Sequence, residues 1–192
     1  MKKLRFGIIG CSGIAESSTI PSILNSKYAD LEFIGSRTEK KSKEFANKFK
    51  CKKFGSYEDV LENDDVDAVY ISVPVGLHEK WSMKAAKKGK HILCEKSSTT
   101  SFSSAKKMVF ESKKNNIRLM EAFMFRFHPQ HSKVKELIKR NLLGKIYTFS
   151  GFYGFLPIPR TNIRFDKKLG GGILNDAGCY PICASRILFD EE

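Results

Sequence analysis

A run of small residues near the start of the chain has the pattern of a phosphate-binding turn. Segment 7–15 reads GIIGCSGIA and separates an apolar run from an amphipathic stretch. Such a turn needs a glycine for the bend, a small residue where the backbone meets a pyrophosphate, and another where helix packs on strand. Gly10 and Ala15 fill the first and third roles, and Ser12 stands in the second. The segment predicts a dinucleotide site, with a purely structural glycine turn as the alternative. The expected contacts are Gly10, Ser12, Gly13 and Ile14.

The end of the second predicted strand indicates which dinucleotide is bound. A carboxylate at this point accepts hydrogen bonds from the ribose hydroxyls of NAD, whereas the 2′-phosphate of NADP requires a cation. Here Ser36 stands in place of the acid and Arg37 follows it. A guanidinium forms charge-assisted bonds to phosphate and stacks on adenine. The sequence favours NADP over NAD, and the alternative is that Arg37 is an ordinary surface arginine.

A lysine follows the fifth predicted strand, in the segment ILCEK at 92–96. Ligands of open α/β sheets bind beyond the carboxyl ends of the strands, so Lys96 is predicted to face the reactive end of the dinucleotide. A solvated loop lysine is the commoner case, and Glu95-Lys96 alone does not decide between the two.

An alternation of predicted strands and helices positions these residues. The predicted strands are 4–9, 31–36, 52–54, 68–73, 91–94 and 118–123, and the predicted helices are 13–24, 40–49, 57–62, 78–88 and 103–114. Strand–helix–strand at this spacing indicates right-handed crossovers and a parallel sheet with helices on both faces. Residues 1–123 are therefore predicted to form an α/β domain, a doubly wound Rossmann sheet.

The pattern changes after residue 123. We predict a helix at 129–141, a strand at 146–155, where IYTFSGFYGF is rich in aromatic and β-branched residues, and a last helix that reaches Phe189. One strand and two helices cannot bury a core, because a lone strand leaves backbone groups unpaired on both edges. Residues 124–192 are expected to be the start of an incomplete α+β domain. We expect this unit to pack against the first domain and a partner chain, or else the chain is cut short.

Several segments together resemble the Gfo/Idh/MocA family of NAD(P)-dependent sugar oxidoreductases. They are GIIGCSGIA (7–15), GSRTEKKSKEFANKF (35–49), the turn from Pro74 to His78, AAKKGKHILCEK (85–96), MEAFMFRFHPQ (120–130) and GGGILNDAGCYP (170–181). The chain looks most similar to the branch of trans-dihydrodiol dehydrogenase and NADP-linked xylose dehydrogenases, which carries Tyr in the DxGxY segment. The family's second domain is a large open antiparallel sheet that covers the substrate and supplies the dimer surface.

The resemblance implies a catalytic pair. Lys96 matches the family's active-site lysine and Tyr180 its proton-transferring residue, with Asp176 orienting the substrate or the pair. A tyrosine hydroxyl has a pKa near 10 and is a poor base at neutral pH. An adjacent ammonium group favours the phenolate and so makes the tyrosine a better base. The ammonium also stabilises an alkoxide as hydride leaves for the nicotinamide. Pro181 is tolerated only near a helix start, which places Tyr180 at the mouth of the last helix and Asp176 just before it.

The resemblance also implies further contacts and shows three departures: Ser12 where glycine is usual, Ser97 after Lys96, and a second domain that is short of the family's full sheet. The implied cofactor contacts are Ser72, His78, Glu95 and Arg164, and Arg126 is a candidate for lining the pocket. The family usually has Pro after Glu-Lys, whereas this chain has Ser97.

Charge, cysteine content and hydropathy argue against nucleic-acid-binding, disulfide-rich, zinc-binding and membrane proteins. The net charge of the 192-residue chain is +13, but its lysine pairs are spread along the whole sequence. Solvated helix faces are therefore favoured over a nucleic-acid groove, and only steeply salt-dependent DNA binding would reverse this. Five cysteines without a CxxC pair argue against disulfides and zinc. With no apolar run near the roughly 20 residues of a membrane span and no secretory segment at the start, a cytoplasmic protein is expected.

The leading interpretation is an NADP(H)-dependent oxidoreductase that acts on a sugar or polyol, with Lys96 and Tyr180 as the catalytic pair. A homodimer is expected if the second domain is completed. The alternative is a non-catalytic dinucleotide-binding remnant of such an enzyme. The two differ in turnover, since a remnant would bind the cofactor without oxidising or reducing a sugar.

Overall fold

The chain divides into two compact units, residues 1–121 and 122–192. The computed structural model describes residues 2–189. Within that part of the chain, no helix combines the length and the apolar composition that crossing a bilayer requires.

The first unit is built on a six-stranded sheet in the order β3-β2-β1-β4-β5-β6. Its strands are β1 (Leu4–Ile9), β2 (Ala29–Gly35), β3 (Lys53–Gly55), β4 (Ala68–Ile71), β5 (His91–Cys94) and β6 (Leu119–Glu121). Every neighbouring pair is parallel. The strand order reverses between β1 and β4, which is where doubly wound sheets bind their ligands. The predicted Rossmann architecture is confirmed.

Helices connect these strands. They are α1 (Ile20–Asn25), preceded by a π-helical turn at Ala15–Thr19, α2 (Glu39–Phe49), α3 (Tyr57–Glu62), α4 (His78–Lys87) and α5 (Phe102–Lys114). Thr38 caps α2 by accepting a hydrogen bond from the backbone N–H of Lys41. Ser56 and Asp59 form a reciprocal capping box at the start of α3, which fixes where that helix begins. The helix predicted at 13–24 is helical from 13 to 25, with the π-helical turn at Ala15–Thr19 inside it.

Two apolar clusters lie on opposite faces of the sheet. Ile9, Val69 and Ile71 belong to the cluster that contains Trp81, whereas their neighbours Ile8 and Tyr70 belong to the other. Successive side chains of a strand point to opposite faces. Because both faces are covered by helices, the central strands are buried over Gly7–Ile9 of β1 and along the whole of β4.

The second unit contains α6 (Pro129–Lys139) and α7 (Cys179–Phe189). Short 3-10 turns occur at Met124–Phe127, Ile163–Phe165 and Lys167–Leu169, and a π-helical turn at Leu174–Gly178 precedes α7. His128 caps α6 by accepting a hydrogen bond from the N–H of Gln130, and Pro129 is its first residue, a position that does not need an N–H.

The strand predicted at 146–155 does not form. Residues 146–159 have no regular secondary structure. Aromatic and β-branched composition suits a strand, but a strand exists only where its N–H and C=O groups pair with a neighbour. No strand is present among residues 122–189 to pair with it. The prediction was wrong because composition does not supply the partner.

Candidate functional site

The turn after β1 has the geometry of a phosphate cradle. Gly10 has φ +111°, and a Cβ there would lie 3.0 Å from the carbonyl carbon of Ser72 and 3.1 Å from the nitrogen of Val73. Only glycine fits this conformation and this close approach. Gly13 is exposed, and a Cβ there would meet nothing within 4 Å. The turn is therefore closed by backbone on its inner side at Gly10 and open at Gly13.

Two serines support this turn. Ser12 accepts a hydrogen bond from the backbone N–H of Ala15 at 3.1 Å, so its hydroxyl is engaged with the start of the helical turn. Ser72, 8 % exposed, donates from Oγ to the carbonyl of Gly10 at 2.7 Å. This bond connects the end of β4 to the turn after β1. Ile14, which follows Gly13 in the same turn, is exposed.

Ser36 and Arg37, which are predicted to select NADP over NAD, follow the end of β2. Ser36 is buried, and its backbone N–H donates to the carbonyl of Gly55 at 3.0 Å. Arg37 is exposed. A neutral buried residue followed by an exposed guanidinium suits a phosphate better than a pair of ribose hydroxyls.

Glu95 follows β5 and is held from the neighbouring strand. The hydroxyl of Tyr70 donates to its carboxylate at 2.5 Å, and both side chains are buried. Burial raises the pKa of Glu95, while the hydrogen bond from Tyr70 and the charge of Lys96 act in the opposite direction. Burial and the nearby Glu95 carboxylate raise the pKa of Tyr70. Tyr70 therefore stays protonated and acts as a hydrogen-bond donor.

Lys96 is half-buried, and the residues after it are held by side chains. The peptide bond between Lys96 and Ser97 is cis. The Nδ1 atom of His78 lies 2.9 Å from the carbonyl oxygen of Ser97, and its Nε2 lies 2.8 Å from that of Val73. The backbone N–H of Ser98 donates to Glu121 at 2.6 Å.

His78 is 1 % exposed, and burial lowers its pKa against the opposing effect of the carbonyl groups. A neutral imidazole has a single N–H and donates to one carbonyl at a time. Both ring nitrogens of His78 thus face backbone carbonyls rather than open solvent.

In the second unit, Arg164 and Asp176 form an ion pair. The Nε of Arg164 lies 2.5 Å from Oδ2 of Asp176, and the guanidinium lies over the ring of Phe155 at 5.7 Å. A Cβ on Gly171 would lie 2.5 Å from the carbonyl oxygen of Arg164, so the close backbone approach at this point requires glycine. The pair lines a cavity of about 280 Å³ together with Phe155, Ile158, Phe165, Lys167 and Gly171–Ile173. Arg126, by contrast, is exposed on a 3-10 turn.

Tyr180 is the second residue of α7, which continues without a break from the π-helical turn at Leu174–Gly178, so Tyr180 does not lie at the start of the helical segment as predicted. Its ring stacks on Tyr153 at 4.4 Å between centroids, with Phe123 edge-on at 5.6 Å. Asp176 was predicted to precede the helix, but it lies inside the π-helical turn. In that turn the N–H of Cys179 bonds to Leu174, so helical backbone extends upstream of the proline.

Sequence reasoning missed two residues next to Lys96. Tyr70 looks like an ordinary strand residue in AVYI, and Glu121 like a polar strand end. The only available signal was a polar group on an otherwise apolar central strand, since a buried hydroxyl needs a partner.

Residues 4–123 match the family model described as an oxidoreductase family with an NAD-binding Rossmann fold. Residues 131–192 match the Gfo/Idh/MocA C-terminal domain. The two matches follow one another in the order of the two units.

Curated relatives match nearly the whole chain. A dTDP-3,4-didehydro-2,6-dideoxy-α-D-glucose 3-reductase from Saccharopolyspora spinosa is 35 % identical over 96 % of this chain and 56 % of its own length. An NADP-dependent D-xylose 1-dehydrogenase from Haloferax volcanii is 38 % identical over 96 % and 57 %. A trans-1,2-dihydrobenzene-1,2-diol dehydrogenase from Xenopus tropicalis is 29 % identical over 97 % and 55 %. The predicted branch is thus represented, together with sugar 3-reductases.

A solved structure agrees with this assignment. The 3-ketoreductase KijD10 from Actinomadura kijaniata, in complex with NADP and TDP-benzene, superposes with a TM-score of 0.93 at 35 % identity, over 97 % of this chain and 57 % of that one. The chain spans a little over half the length of the relatives that it matches. Its strand order, its motifs and both family models agree, and the chain belongs to the Gfo/Idh/MocA family of oxidoreductases.

Proposed function

We propose that this chain binds NADP along the carboxyl edge of its parallel sheet and serves hydride transfer between the nicotinamide and a sugar or polyol. The observation that carries the proposal is the joint placement of an open glycine turn, an exposed arginine and a lysine after β1, β2 and β5. In a parallel sheet these strand ends lie on one edge.

The first unit supplies groups that fit NADP. The open turn from Gly10 to Ile14 leads into a helical turn at Ala15, and helix N-termini bind phosphates through backbone N–H groups and the helix dipole. Arg37 would hold the 2′-phosphate, with Ser36 leaving room where NAD enzymes carry an acid. Ser72 and Glu95 complete the lining of the strand ends. The net charge of +13 favours the approach of an anionic ligand.

The chemistry is assigned to Lys96 and Tyr180. When bound, the nicotinamide ring donates or accepts the hydride. Lys96 would stabilise negative charge on the substrate oxygen, and Tyr180 would pass a proton to or from that oxygen. Asp176, held by Arg164, would orient the substrate. The guanidinium has five N–H groups, so Arg164 can also meet the cofactor while it holds the carboxylate.

The relatives support the proposed substrate class. The matched proteins include a reductase named for a dTDP-linked sugar and a dehydrogenase named for D-xylose. Both names place a hydroxyl or carbonyl of a sugar at the reacting position, so we propose a sugar or a related polyol for this chain.

Two measurements on the purified chain test the proposal. Fluorescence titration with NADPH and NADH should show saturable binding that favours NADPH. Turnover of NADPH with aldoses and ketoses, followed by loss of reduced nicotinamide absorbance, should be abolished in Tyr180→Phe. Binding without turnover would contradict the catalytic part and support the non-catalytic alternative, while absence of binding would contradict the whole proposal.

A further inference from the structure

Three side chains hydrogen-bond to residues on either side of Lys96: Tyr70 to the side-chain carboxylate of Glu95, and His78 and Glu121 to the backbone of Ser97 and Ser98. They come from three separate elements. Tyr70 lies on β4, His78 is the first residue of α4, and Glu121 is the last residue of β6. Their bonds reach Glu95 at 2.5 Å, Ser97 at 2.9 Å and Ser98 at 2.6 Å. We call Tyr70, His78 and Glu121 the lysine clamp.

The clamp lies behind the sheet edge. Tyr70 and His78 are each 1 % exposed, and Glu121 is half-buried. A buried polar group without a partner costs free energy comparable to a lost hydrogen bond. The bonds to segment 95–98 satisfy the hydroxyl of Tyr70 and the carboxylate of Glu121, so movement of the segment would leave these two groups unpaired. The neutral ring of His78 donates to one carbonyl at a time, that of Ser97 or that of Val73.

His78 joins the clamp to the turn after β4. Its second ring nitrogen lies 2.8 Å from the carbonyl oxygen of Val73, and the nitrogen of Val73 approaches the position of a Cβ on Gly10. One buried ring thus connects the backbone beside the phosphate turn with the backbone after Lys96.

We propose that Tyr70, His78 and Glu121 are positioning residues that fix the direction of the Lys96 side chain. Ser97 has no pyrrolidine ring to restrict its backbone, and the clamp provides the restraint from outside. The role of the Lys96 amine in hydride transfer rests on the proposed function. The positioning of Lys96 by the clamp does not.

Nuclear magnetic resonance of the free chain tests the clamp. Lysine amines are converted to ¹³C-dimethylamines, and the Lys96 signal is identified by its absence in Lys96→Arg. Tyr70→Phe and Glu121→Leu should each shift the Lys96 signal. Glu121→Leu should also raise the exchange rate of the Ser98 backbone N–H about tenfold, the loss expected for one hydrogen bond.

The matched controls remove similar groups elsewhere in the same unit. Tyr57→Phe removes a hydroxyl from a buried ring that packs on Trp81, and Glu111→Leu removes a buried carboxylate that bonds to Asn115. Both should leave the Lys96 signal in place. A Lys96 signal unmoved in both clamp variants, or moved equally by the controls, overturns the inference.

Adding NADP⁺ separates the clamp from the proposed function. A shift of the Lys96 signal with NADP⁺ in the unmodified sequence, together with shifts in the clamp variants, supports both. Shifts in the clamp variants without a response to NADP⁺ leave the clamp standing and contradict the cofactor site. A response to NADP⁺ with no effect of the clamp variants does the reverse.

Discussion

The hydroxyl of Tyr70 lies 2.5 Å from a carboxylate oxygen of Glu95, and this bond joins β4 to the residue before Lys96. Neither side chain is open to solvent. The bond therefore contributes to stability and to the charge state of Glu95 at once.

Tyr70→Phe should destabilise the chain in a pH-dependent way. Removing the donor costs about 1.5 to 3 kcal/mol at neutral pH, because a buried carboxylate loses its partner. Burial already raises the pKa of Glu95 above its ordinary value of 4.5, and losing Tyr70 raises it further. A carboxyl whose pKa is higher in the folded state lowers the free energy of unfolding as pH rises from that ordinary value through the folded pKa.

Urea unfolding at several pH values measures this effect. The difference between Tyr70→Phe and the parent chain should grow as pH rises from below 4.5 to neutrality. Tyr57→Phe serves as the control and should show a difference that does not vary with pH over this range. A pH-independent loss in Tyr70→Phe would contradict the assigned bond.

Gly10→Ala and Gly13→Ala should separate folding from ligand binding. A Cβ on Gly10 meets the backbone of Ser72 at 3.0 Å in a left-handed conformation, which predicts a loss of about 1 to 3 kcal/mol in unfolding free energy. A Cβ on Gly13 meets nothing within 4 Å, so the unfolding free energy should not fall. Because the proposed pyrophosphate lies against this turn, the added methyl group should lower the affinity for NADPH. Denaturant unfolding and NADPH titration on the same samples provide the comparison, and equal stability of the two variants would be the contrary result.

Arg37→Ala should weaken NADPH more than NADH. Charge-assisted bonds to a phosphate contribute about 1.5 to 3 kcal/mol, so affinity for NADPH should fall roughly tenfold to a hundredfold. NADH lacks the 2′-phosphate and should lose little. Lys40→Ala, which removes another exposed cation from α2, controls for net charge, and an equal loss for both nucleotides would exclude Arg37 from phosphate recognition.

Tyr180→Phe should abolish sugar-dependent oxidation of NADPH without loss of NADPH affinity, because the hydroxyl serves proton transfer and the ring keeps its stacking on Tyr153. Tyr147→Phe is the matched control, since Tyr147 is 81 % exposed. Steady-state kinetics and NADPH titration of both variants decide the point. Unchanged turnover in Tyr180→Phe would remove this residue from the reaction.

Local patterns predicted the order of the strands in the first unit, and the predicted strand bounds differ from the structure by at most two residues. The bounds of β1, α3 and β5 agree with the structure, because apolar runs, caps and glycines act over a few neighbouring residues. The segment at 146–155 failed for the opposite reason, since a strand depends on a partner that composition does not specify.

The candidate site shows the same division. Gly10, Arg37 and Lys96 were visible because each stands at a strand end. Tyr70 and Glu121 lie 25 and 23 residues from the groups they bind, and nothing local marks either as a partner of the segment around Lys96. Sequence patterns indicate which element ends at the site, whereas long-range hydrogen bonds appear only once the sheet is assembled.

A crystal structure of the chain with NADP⁺ would decide whether the nucleotide lies along the carboxyl edge of the sheet. We expect the pyrophosphate against the backbone of residues 10–14, the 2′-phosphate at Arg37 and the nicotinamide ring beside Lys96. A nucleotide bound away from this edge of the sheet, or with its nicotinamide remote from Lys96, would contradict this proposal.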